Sequence, residues 1–328
     1  MSKEFNKKKL VADALIGVAV GDALGVPFEF SSREKMKDNP ARDMVGYGTY
    51  NQKPGTWSDD TSLTLCLAES LAEGIDLMEI SKNFIRWRDE DYWTARNQLF
   101  DIGVTTSRAI SRLKKIIENN DIELLENQKF HGDAYENGNG SLMRIIPLLF
   151  PIINWPISDQ FDLIWKVSAL THRHIRAAMS CLIYLKIAEN IISGMDKEQS
   201  YQKMRKDISS FWNEIGFSEK EQLNFTKLVQ NDIKDVPIDD LRTGGYVIEV
   251  LESSIWFFMK KGSYCDTVLS IINLGHDTDT AGAIAGGLAG LYYGADSIPS
   301  GWLDQLARKD DILLVANQLS DRYLCNKN

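Results

Sequence analysis

Two short segments, far apart in the chain, carry paired carboxylates beside hydroxyl groups. The first reads Ser-Asp-Asp-Thr over residues 58–61, and the second reads Asp-Thr-Asp-Thr over residues 277–280. Adjacent carboxylates repel each other unless a cation lies between them. Carboxylate and hydroxyl oxygens suit Mg²⁺, Mn²⁺ or Ca²⁺ and are poor ligands for copper or iron–sulfur centres. Together the segments predict one shared site for divalent cations, and they leave open whether it holds one ion or two.

Helix capping is the alternative explanation for both segments, because each stands directly before an apolar pattern with helical spacing. Leu63, Leu67 and Leu71 follow the first segment, up to Gly74. Ser58 or Asp59 is well placed as N-cap, where the unpaired N–H groups and the helix dipole favour negative charge. Capping explains one acid at each helix start. It explains a neighbouring pair less well, so the two segments together favour metal binding.

Three further signals are weaker and keep two interpretations each. The loop Asn137–Arg144 is rich in Asn and Gly and can present N–H groups to a phosphate, although most such clusters are turns. Thr171 can cap the next helix, or join His172 in a polar cluster that contacts a nucleotide. His276 beside Asp277 is either a metal ligand, as in metal phosphohydrolases, or a residue with a structural hydrogen bond. The sequence contains no G-x-S-x-G nucleophile motif.

Helices must position these segments, because apolar residues recur at helical spacing through most of the chain. Ile110, Leu113 and Ile116 illustrate the pattern. Only the stretch 45–50 has the alternation of a short extended piece. No Pro/Ser-rich linker divides the chain, and the two acidic segments must meet to form one site. We therefore expect an all-α protein with a single domain spanning residues 1–328.

Two of the expected helices each carry three glycines, spaced four residues apart, on one face. Each interior Gly costs about 0.8 to 1 kcal/mol relative to Ala, so a set of three gives up about 2 to 3 kcal/mol of helix propensity. The close approach of another helix is the favoured compensation, and the approach of a ligand is the alternative. The two sets are Gly17, Gly21 and Gly25, and Gly282, Gly286 and Gly290.

The composition and the N-terminal segment indicate which partners and which compartment to expect. The 37 Lys and Arg against 46 Asp and Glu give a net charge of −9, which disfavours a nucleic-acid partner. Four scattered cysteines without a C-x-x-C pair predict a reducing, cytoplasmic environment. Lys3, Lys7, Lys8 and Lys9 precede an apolar run, as in a secretion signal. Because Asp13 and Asp22 interrupt that run, we interpret it as a first helix, and we expect a monomer without membrane contact.

At these residues the sequence resembles the ADP-ribosylglycohydrolase family. The match covers nearly the whole chain and follows the family's order of motifs, from Gly17–Glu29 to Gly275–Thr280. The resemblance implies a compact, orthogonal all-helical bundle with two divalent cations, Mg²⁺ or Mn²⁺, in a cleft. The positions that match metal ligands are Ser58, Asp59, Asp60, Asp277, Asp279 and Thr280. Glu29 matches an acidic residue beside the metals that some members use in catalysis, and Asp60 and Asp279 are the other candidate catalytic carboxylates. Gly103, Asn139, Gly140 and Ser141 match loops around the phosphates and ribose, and His172 matches a contact on the nucleotide side.

The resemblance implies a metal-dependent hydrolase that removes ADP-ribose from a modified side chain, with arginine favoured, or from a small ADP-ribose conjugate. A metal phosphohydrolase and a non-catalytic ADP-ribose binder are the alternatives. Guanidinium groups pair with carboxylates and stack on aromatic rings. The chain offers several candidates for that role in its less regular segments. They are the acids Asp89, Glu90, Asp91, Asp133 and Glu136 and the aromatic residues Trp93 and Tyr135.

Overall fold

The computed structural model describes residues 9–133 and 135–325, and α-helix dominates both ranges. Within these ranges, sixteen α-helices are joined by short loops and single helical turns, which confirms the all-α prediction. They are α1 (Leu10–Gly25), α2 (Arg33–Asp38), α3 (Asp59–Glu73), α4 (Leu77–Glu90), α5 (Val104–Glu118), α6 (Ile122–Glu126), α7 (Leu149–Ile152), α8 (Ile157–Ala169), α9 (Ile175–Ile192), α10 (Lys197–Ile215), α11 (Glu219–Gln222), α12 (Val247–Lys260), α13 (Tyr264–Ile272), α14 (Thr278–Tyr293), α15 (Ser300–Gln305) and α16 (Lys309–Ser320).

The described residues contain no β-strand. An isolated antiparallel bridge joins Gly138 to Tyr246, where the amide of Val247 donates to the carbonyl of Asn137 over 3.2 Å. The stretch 45–50, expected to be extended, forms bends and turns instead. Its Gly48 packs so closely on Pro27 that a Cβ would lie 1.9 Å from the Pro27 carbonyl oxygen. Contact with the chain just after α1, rather than pairing with another strand, therefore determines its shape.

The centre of the fold is the antiparallel pair of α1 and α14. A Cβ built on Gly21 would lie 2.1 Å from the carbonyl oxygen of Gly282, and one on Gly17 would lie 2.3 Å from that of Gly286. At such distances no side chain fits between the two backbones. The glycines thus serve helix packing, as favoured from the sequence. The pairing also places the end of α1 beside the first turn of α14.

Helix α1 is a buried core element. The stretch Leu10–Phe28 is long and apolar enough to cross a membrane, with a mean hydropathy of 1.7. It is, however, 83% buried inside the protein. One continuous hydrophobic cluster extends from Leu10 to Leu319. Lys9 precedes the helix as its N-cap residue, whereas Lys3, Lys7 and Lys8 lie outside the described residues.

Several helices enclose the central pair. Helices α3 and α16 pack against α1, and α9, α12 and α13 pack against α14. This arrangement directs the first turns of α3 and α14 toward the same end of α1. The two segments with paired carboxylates are therefore neighbours in space, although most of the chain separates them in sequence.

Candidate metal centre and active site

Asp22 organises the start of α3 from within α1. Its buried carboxylate accepts from the backbone amide of Ser58 over 2.9 and 3.0 Å, from the amide of Thr61 over 3.0 Å and from the Thr61 hydroxyl over 2.6 Å. Burial raises the pKa of Asp22 to about 6, although the hydrogen bonds from Thr61 and Ser58 oppose the shift. Sequence reasoning did not single out Asp22 as a site residue. Helix α1 contains two acids, and the position of Asp22 near its apolar C-terminal end, next to Gly21, was the signal that could have found it.

The first turn of α3 has the capping geometry expected from the sequence. The Ser58 hydroxyl accepts from the amide of Asp60 over 3.4 Å and donates to Asp60 Oδ2 over 3.1 Å. Ser58 is thus both the N-cap residue and a direct neighbour of a candidate ligand. Capping and metal binding are compatible here, because Asp60 Oδ1 is left buried without a hydrogen-bond partner.

The first turn of α14 meets these groups from the opposite side. The Thr280 hydroxyl donates to Asp60 Oδ2 over 3.2 Å, and the Thr278 hydroxyl donates to the carbonyl of Gly25 over 2.8 Å. Asn139 Nδ2 donates to Asp277 Oδ2 over 2.7 Å. The structure therefore brings together the two acidic segments, whose convergence was expected from the sequence, and it adds the Asn/Gly loop to them.

The carboxylates form two groups that can each hold a cation. One group comprises Asp22, Asp60 and Asp279, and the other comprises Glu29, Asp277 and Asp279; within each group the candidate ligand oxygens all lie within 4.8 Å of one another. Asp279 belongs to both groups. Glu29 Oε2 and Asp60 Oδ1 are buried and have no hydrogen-bond partner among the residues that the structure describes. Unpartnered buried carboxylate oxygens are costly unless a cation neutralises them, so the donor set fits divalent metal ions.

Burial and mutual repulsion shift the pKa values of this cluster upward. Burial raises the pKa of Glu29 to about 8, and the charge of Asp101 adds to the shift. Burial also raises the pKa of Asp60 well above its ordinary value, with the nearby charges of Asp22 and Asp59 contributing. Asp59, Asp277 and Asp279 are shifted in the same direction, in each case mainly by burial. Such a cluster ionises fully only when positive charge enters it.

Asp101 and Tyr50 belong to the same site and were not predicted. The charge of Asp101 raises the pKa of Glu29 and of Asp59, after burial. The pKa of the Tyr50 hydroxyl is raised by burial and by the charges of Asp101 and Glu29. Asp101 stands two residues before Gly103, and that spacing was the available signal for it. Tyr50 lies in the stretch expected to be extended, and nothing in the sequence set it apart.

Most of these carboxylates line a cleft of about 380 Å³. The first turn of α5 contributes to its wall, and Gly103 is the N-cap residue of that helix without a side-chain cap. The backbone N–H groups in the first turn of α5 suit an anion such as a phosphate. The predicted site residues that line the cleft are Glu29, Asp59, Gly103, Asn139, Gly140, His172, Asp277, Asp279 and Thr280.

His172 forms part of the cleft wall, beside Gly138 and Gly140. Its Nδ1 and the hydroxyl of Thr171 share a hydrogen bond of 2.9 Å. Burial lowers the pKa of His172 to about 3, and the charges of Arg144 and Arg112 add to the shift, so the imidazole is neutral at physiological pH. A Cβ on Gly140 would lie 2.6 Å from the His172 ring, so glycine is needed at this position.

Two expectations about this wall need correction. Ser141 is not among the residues lining the cleft; its fully buried hydroxyl accepts from the Ser168 hydroxyl over 2.8 Å, so its side chain belongs to the core below the loop. Thr171 does not cap the following helix. His174 is the N-cap residue of α9, and its Nδ1 accepts from the amide of Arg176 over 3.1 Å. The Thr171 hydroxyl is instead engaged by His172.

His276 is exposed and belongs to neither carboxylate group. Its backbone has a φ of +61°. Its amide donates to the carbonyl of Ser31 over 2.7 Å, and its carbonyl accepts from the amide of Phe30 over 2.7 Å. Of the two interpretations left open by the sequence, the geometry favours the structural one.

The acids and aromatic residues expected to hold a guanidinium do not line this cleft. Asp89 forms ion pairs with Arg88 and Lys114, and Glu136 forms one with Arg173. Glu90 lies 3.7 Å from Arg86, Asp91 accepts from the amide of Leu99, and Trp93 is buried and donates to Glu69. Asp133 accepts from the amide of Tyr135, whose side chain is exposed. That hypothesis assigned the wrong surface, because local composition does not reveal which loops face the metal site.

Comparison with known proteins gives a consistent picture. A family model described as ADP-ribosylglycohydrolase matches residues 4–327. ADP-ribosylarginine hydrolase Tri1 of Serratia proteamaculans (strain 568) is 29% identical over 322 residues, covering 97% of this chain and 80% of the relative. ADP-ribosyl-(dinitrogen reductase) glycohydrolase of Rhodospirillum rubrum is 28% identical over 301 residues, covering 90% of each chain. A solved structure named ADP-ribosylglycohydrolase-related protein complex superposes with a TM-score of 0.78 at 28% identity, covering 97% of this chain and 99% of that one. With the family model matching almost from end to end, the chain belongs to the ADP-ribosylglycohydrolase family.

Proposed function

We propose that this protein is a divalent-metal-dependent hydrolase that removes ADP-ribose from a modified side chain, with the linkage to arginine favoured. The observation that carries the proposal is the pair of carboxylate groups sharing Asp279 beside a cleft, with Glu29 Oε2 and Asp60 Oδ1 unpartnered. Two relatives described above are named for ADP-ribosylarginine hydrolysis and for ADP-ribosyl glycohydrolysis, which supports the same reaction class.

The metal ligands proposed here are the predicted ones, supplemented by Glu29. Asp22 belongs to the first carboxylate group, but both of its oxygens already accept hydrogen bonds from Ser58 or Thr61. We therefore assign Asp22 the role of orienting the first turn of α3. The proposed ligands are Ser58, Asp59, Asp60, Asp277, Asp279, Thr280 and Glu29. Divalent ions held there, Mg²⁺ or Mn²⁺, would supply Lewis acidity for the hydrolysis and neutralise the carboxylate cluster.

The protein groups themselves account for binding and for proton transfer. Cleavage of a glycosidic bond passes through an oxocarbenium-like state, which nearby carboxylates such as Asp60 and Asp279 stabilise. Glu29 lines the cleft beside the proposed ions, and we assign proton transfer to the carboxylate oxygen of Glu29 that does not bind a metal. The first turn of α5 at Gly103 suits the phosphates, and neutral His172 with Asn139 and Gly140 suits the nucleoside side of ADP-ribose.

The test is release of free ADP-ribose from ADP-ribosyl-arginine and ADP-ribosyl-serine peptides, with Mg²⁺ and after chelation with EDTA. We expect release in Mg²⁺, faster from arginine, and loss of release in EDTA that added Mg²⁺ restores. Faster release from serine would contradict the linkage. Binding of ADP-ribose without turnover of any conjugate would favour the non-catalytic binder, and hydrolysis of a generic phosphate ester instead would favour the phosphohydrolase.

A further inference from the structure

Phe30 combines two features that are unusual in a folded protein. Its side chain is 72% exposed although it is a large apolar ring, and its backbone has a φ of +62°. The left-handed conformation is unfavourable for a bulky residue and persists only where the surroundings enforce it. Phe30 follows Glu29 directly, and both line the cleft. The fold thus holds an aromatic ring out in the cleft beside the candidate metal centre.

The enforcing contacts come from the segment that leads into α14. The amide of Phe30 donates to the carbonyl of His276 over 2.7 Å, and the amide of His276 donates to the carbonyl of Ser31 over 2.7 Å. Gly275 has a φ of +81°, and a Cβ there would lie 2.5 Å from the Ser31 carbonyl oxygen. The Thr49 hydroxyl donates to the carbonyl of Glu29 over 2.7 Å. The position of Phe30 is therefore fixed by the segment that leads to Asp277 and, through Glu29, by the loop that carries Thr49.

Phe30 is the outermost member of a short row of aromatic rings, which we call the aromatic rim: Phe30, Tyr50 and Phe100. The rings of Phe30 and Tyr50 have centroids 6.3 Å apart and an interplanar angle of 60°, and those of Tyr50 and Phe100 are 5.1 Å apart. Phe100 immediately precedes Asp101. Of the three rings, that of Phe30 lines the cleft itself, and the row connects it to Asp101, which also lines the cleft.

This surface has the chemistry that recognises a planar cation. The face of an aromatic ring has a negative electrostatic potential, which attracts a guanidinium. The N–H groups of the guanidinium can pair with a carboxylate at the same time. Glu29 and Asp101 supply carboxylates next to the rim, and both lie in the cleft lining. The oxygen of a serine linkage is uncharged, so it offers neither a cation to the ring nor a positive charge to the carboxylate.

We propose that Phe30 is a specificity-determining residue that packs its exposed ring against the guanidinium of an ADP-ribosylated arginine, with Asp101 as the pairing carboxylate. The proposal rests on the function proposed above and names the element that selects its leaving group. It also replaces the set of guanidinium-binding residues expected from the sequence.

The first measurement compares kcat/KM of wild type, Phe30→Ala and Phe30→Trp on arginine-linked and serine-linked ADP-ribose in Mg²⁺. We expect Phe30→Ala to lose about tenfold on the arginine linkage and less than twofold on the serine linkage, and Phe30→Trp to retain the arginine preference. Phe130→Ala is the matched control, because Phe130 is 68% exposed and does not line the cleft. It should change neither value.

The second measurement is independent of turnover. Calorimetry in EDTA gives the Kd of wild type and Phe30→Ala for ADP-ribosyl-arginine and for ADP-ribose. We expect the substitution to weaken binding of the arginine conjugate about tenfold and to leave ADP-ribose unchanged. Equal effects on both ligands, or none, would overturn the role of Phe30 whatever the activity. Another outcome is that the wild type binds the arginine conjugate, loses that binding selectively on Phe30→Ala, and yet hydrolyses neither conjugate. That result would support the role of Phe30 and refute the proposed function.

Discussion

The Thr280 hydroxyl donates to Asp60 Oδ2 over 3.2 Å and so joins two residues that are 220 positions apart in the chain. The contact connects the first turn of α14 to the first turn of α3. It depends on the close antiparallel contact of α1 with α14, and on Asp22, which holds α3 against α1. The candidate metal centre is thus assembled from three helix ends whose mutual positions are fixed by backbone contact and buried hydrogen bonds.

Replacing one buried acid by its amide should weaken metal binding and yet stabilise the metal-free protein. Asp60→Asn and Asp279→Asn keep the side-chain size but remove one negative charge from a cluster in which charges repel. We expect both variants to have a higher melting temperature than wild type in EDTA. In Mg²⁺ they should show little further rise and no hydrolysis. Differential scanning calorimetry in both buffers measures the effect.

The exposed acid Asp304 provides the control, because its side chain is 74% exposed and its nearest ion-pair partner is 3.8 Å away. Asp304→Asn should reproduce the wild-type melting temperature in both buffers. A lower melting temperature of the two cluster variants in EDTA would show that the acids stabilise the metal-free fold, contrary to the electrostatic argument.

The metal-free protein should become less stable as the pH rises through the range in which its buried acids ionise. The pKa of Asp22 is raised to about 6 and that of Glu29 to about 8, so the folded state holds these protons more tightly than the unfolded chain. Their contribution to the free energy of unfolding is therefore fully present below about pH 4 and is lost as the pH rises to about 8. In EDTA we expect the melting temperature to fall across this window.

Mg²⁺ should reverse that trend, because a cation replaces the protons as the source of positive charge. A ligand present at one hundred times its Kd stabilises the folded state by about 2.7 kcal/mol. The stabilisation by Mg²⁺ should be larger at pH 8 than at pH 5, where protons compete. Melting curves at both pH values, with K⁺ at equal ionic strength as control, measure it. An equal Mg²⁺ effect at both pH values would argue against binding by this cluster.

The sequence was informative where a residue's role depends on its own segment. Helical periodicity predicted the helices, Ser58 was recognised as a cap, and the glycine faces predicted close helix packing. The convergence of the two acidic segments also followed, because paired carboxylates at two helix starts need a common cation. Each of these inferences uses a local pattern or the repulsion between like charges.

What the sequence missed depends on contacts between distant segments. Asp22 became important because Ser58 and Thr61 dock on it, and Asp101 because its loop faces Glu29. Ser141 could not be recognised as a core residue until Ser168 was found beneath it. The exposed ring of Phe30 depends on the backbone hydrogen bonds that join residues 30 and 31 to residue 276, which no local pattern encodes. The expected guanidinium acids are engaged elsewhere for the same reason.

The glycine contacts between α1 and α14 should tolerate no side chain. In Gly21→Ala and Gly282→Ala the new Cβ would lie 2.1 or 2.2 Å from a carbonyl oxygen of the other helix. The alanine gains up to about 1 kcal/mol of helix propensity, but forcing the two backbones apart costs about 1 to 3 kcal/mol or more. We expect a net loss of stability in urea unfolding, together with weaker Mg²⁺ binding because the end of α1 shifts from α14.

Gly301→Ala is the matched control for these variants. Gly301 lies in α15, and a Cβ there would meet nothing within 4 Å. This substitution should leave the free energy of unfolding unchanged or raise it slightly through helix propensity. Neutral behaviour of Gly21→Ala would mean that the two helices can separate without cost, which is incompatible with the packing described.

The loop glycines beside His172 should differ in their effect on ligand binding. A Cβ on Gly140 would lie 2.6 Å from His172 Cε1, whereas one on Gly138 would lie 3.3 Å from Nε2. The buried ring cannot move aside easily, because Thr171 holds it by a hydrogen bond of 2.9 Å. Gly140→Ala should therefore displace the ring and raise the Kd for ADP-ribose about tenfold, and Gly138→Ala should have a smaller effect. Calorimetry with ADP-ribose measures the two Kd values. An unchanged Mg²⁺ affinity in both variants would place the effect on the nucleotide side of the cleft. Equal affinities of the two variants for ADP-ribose would remove His172 from the binding wall.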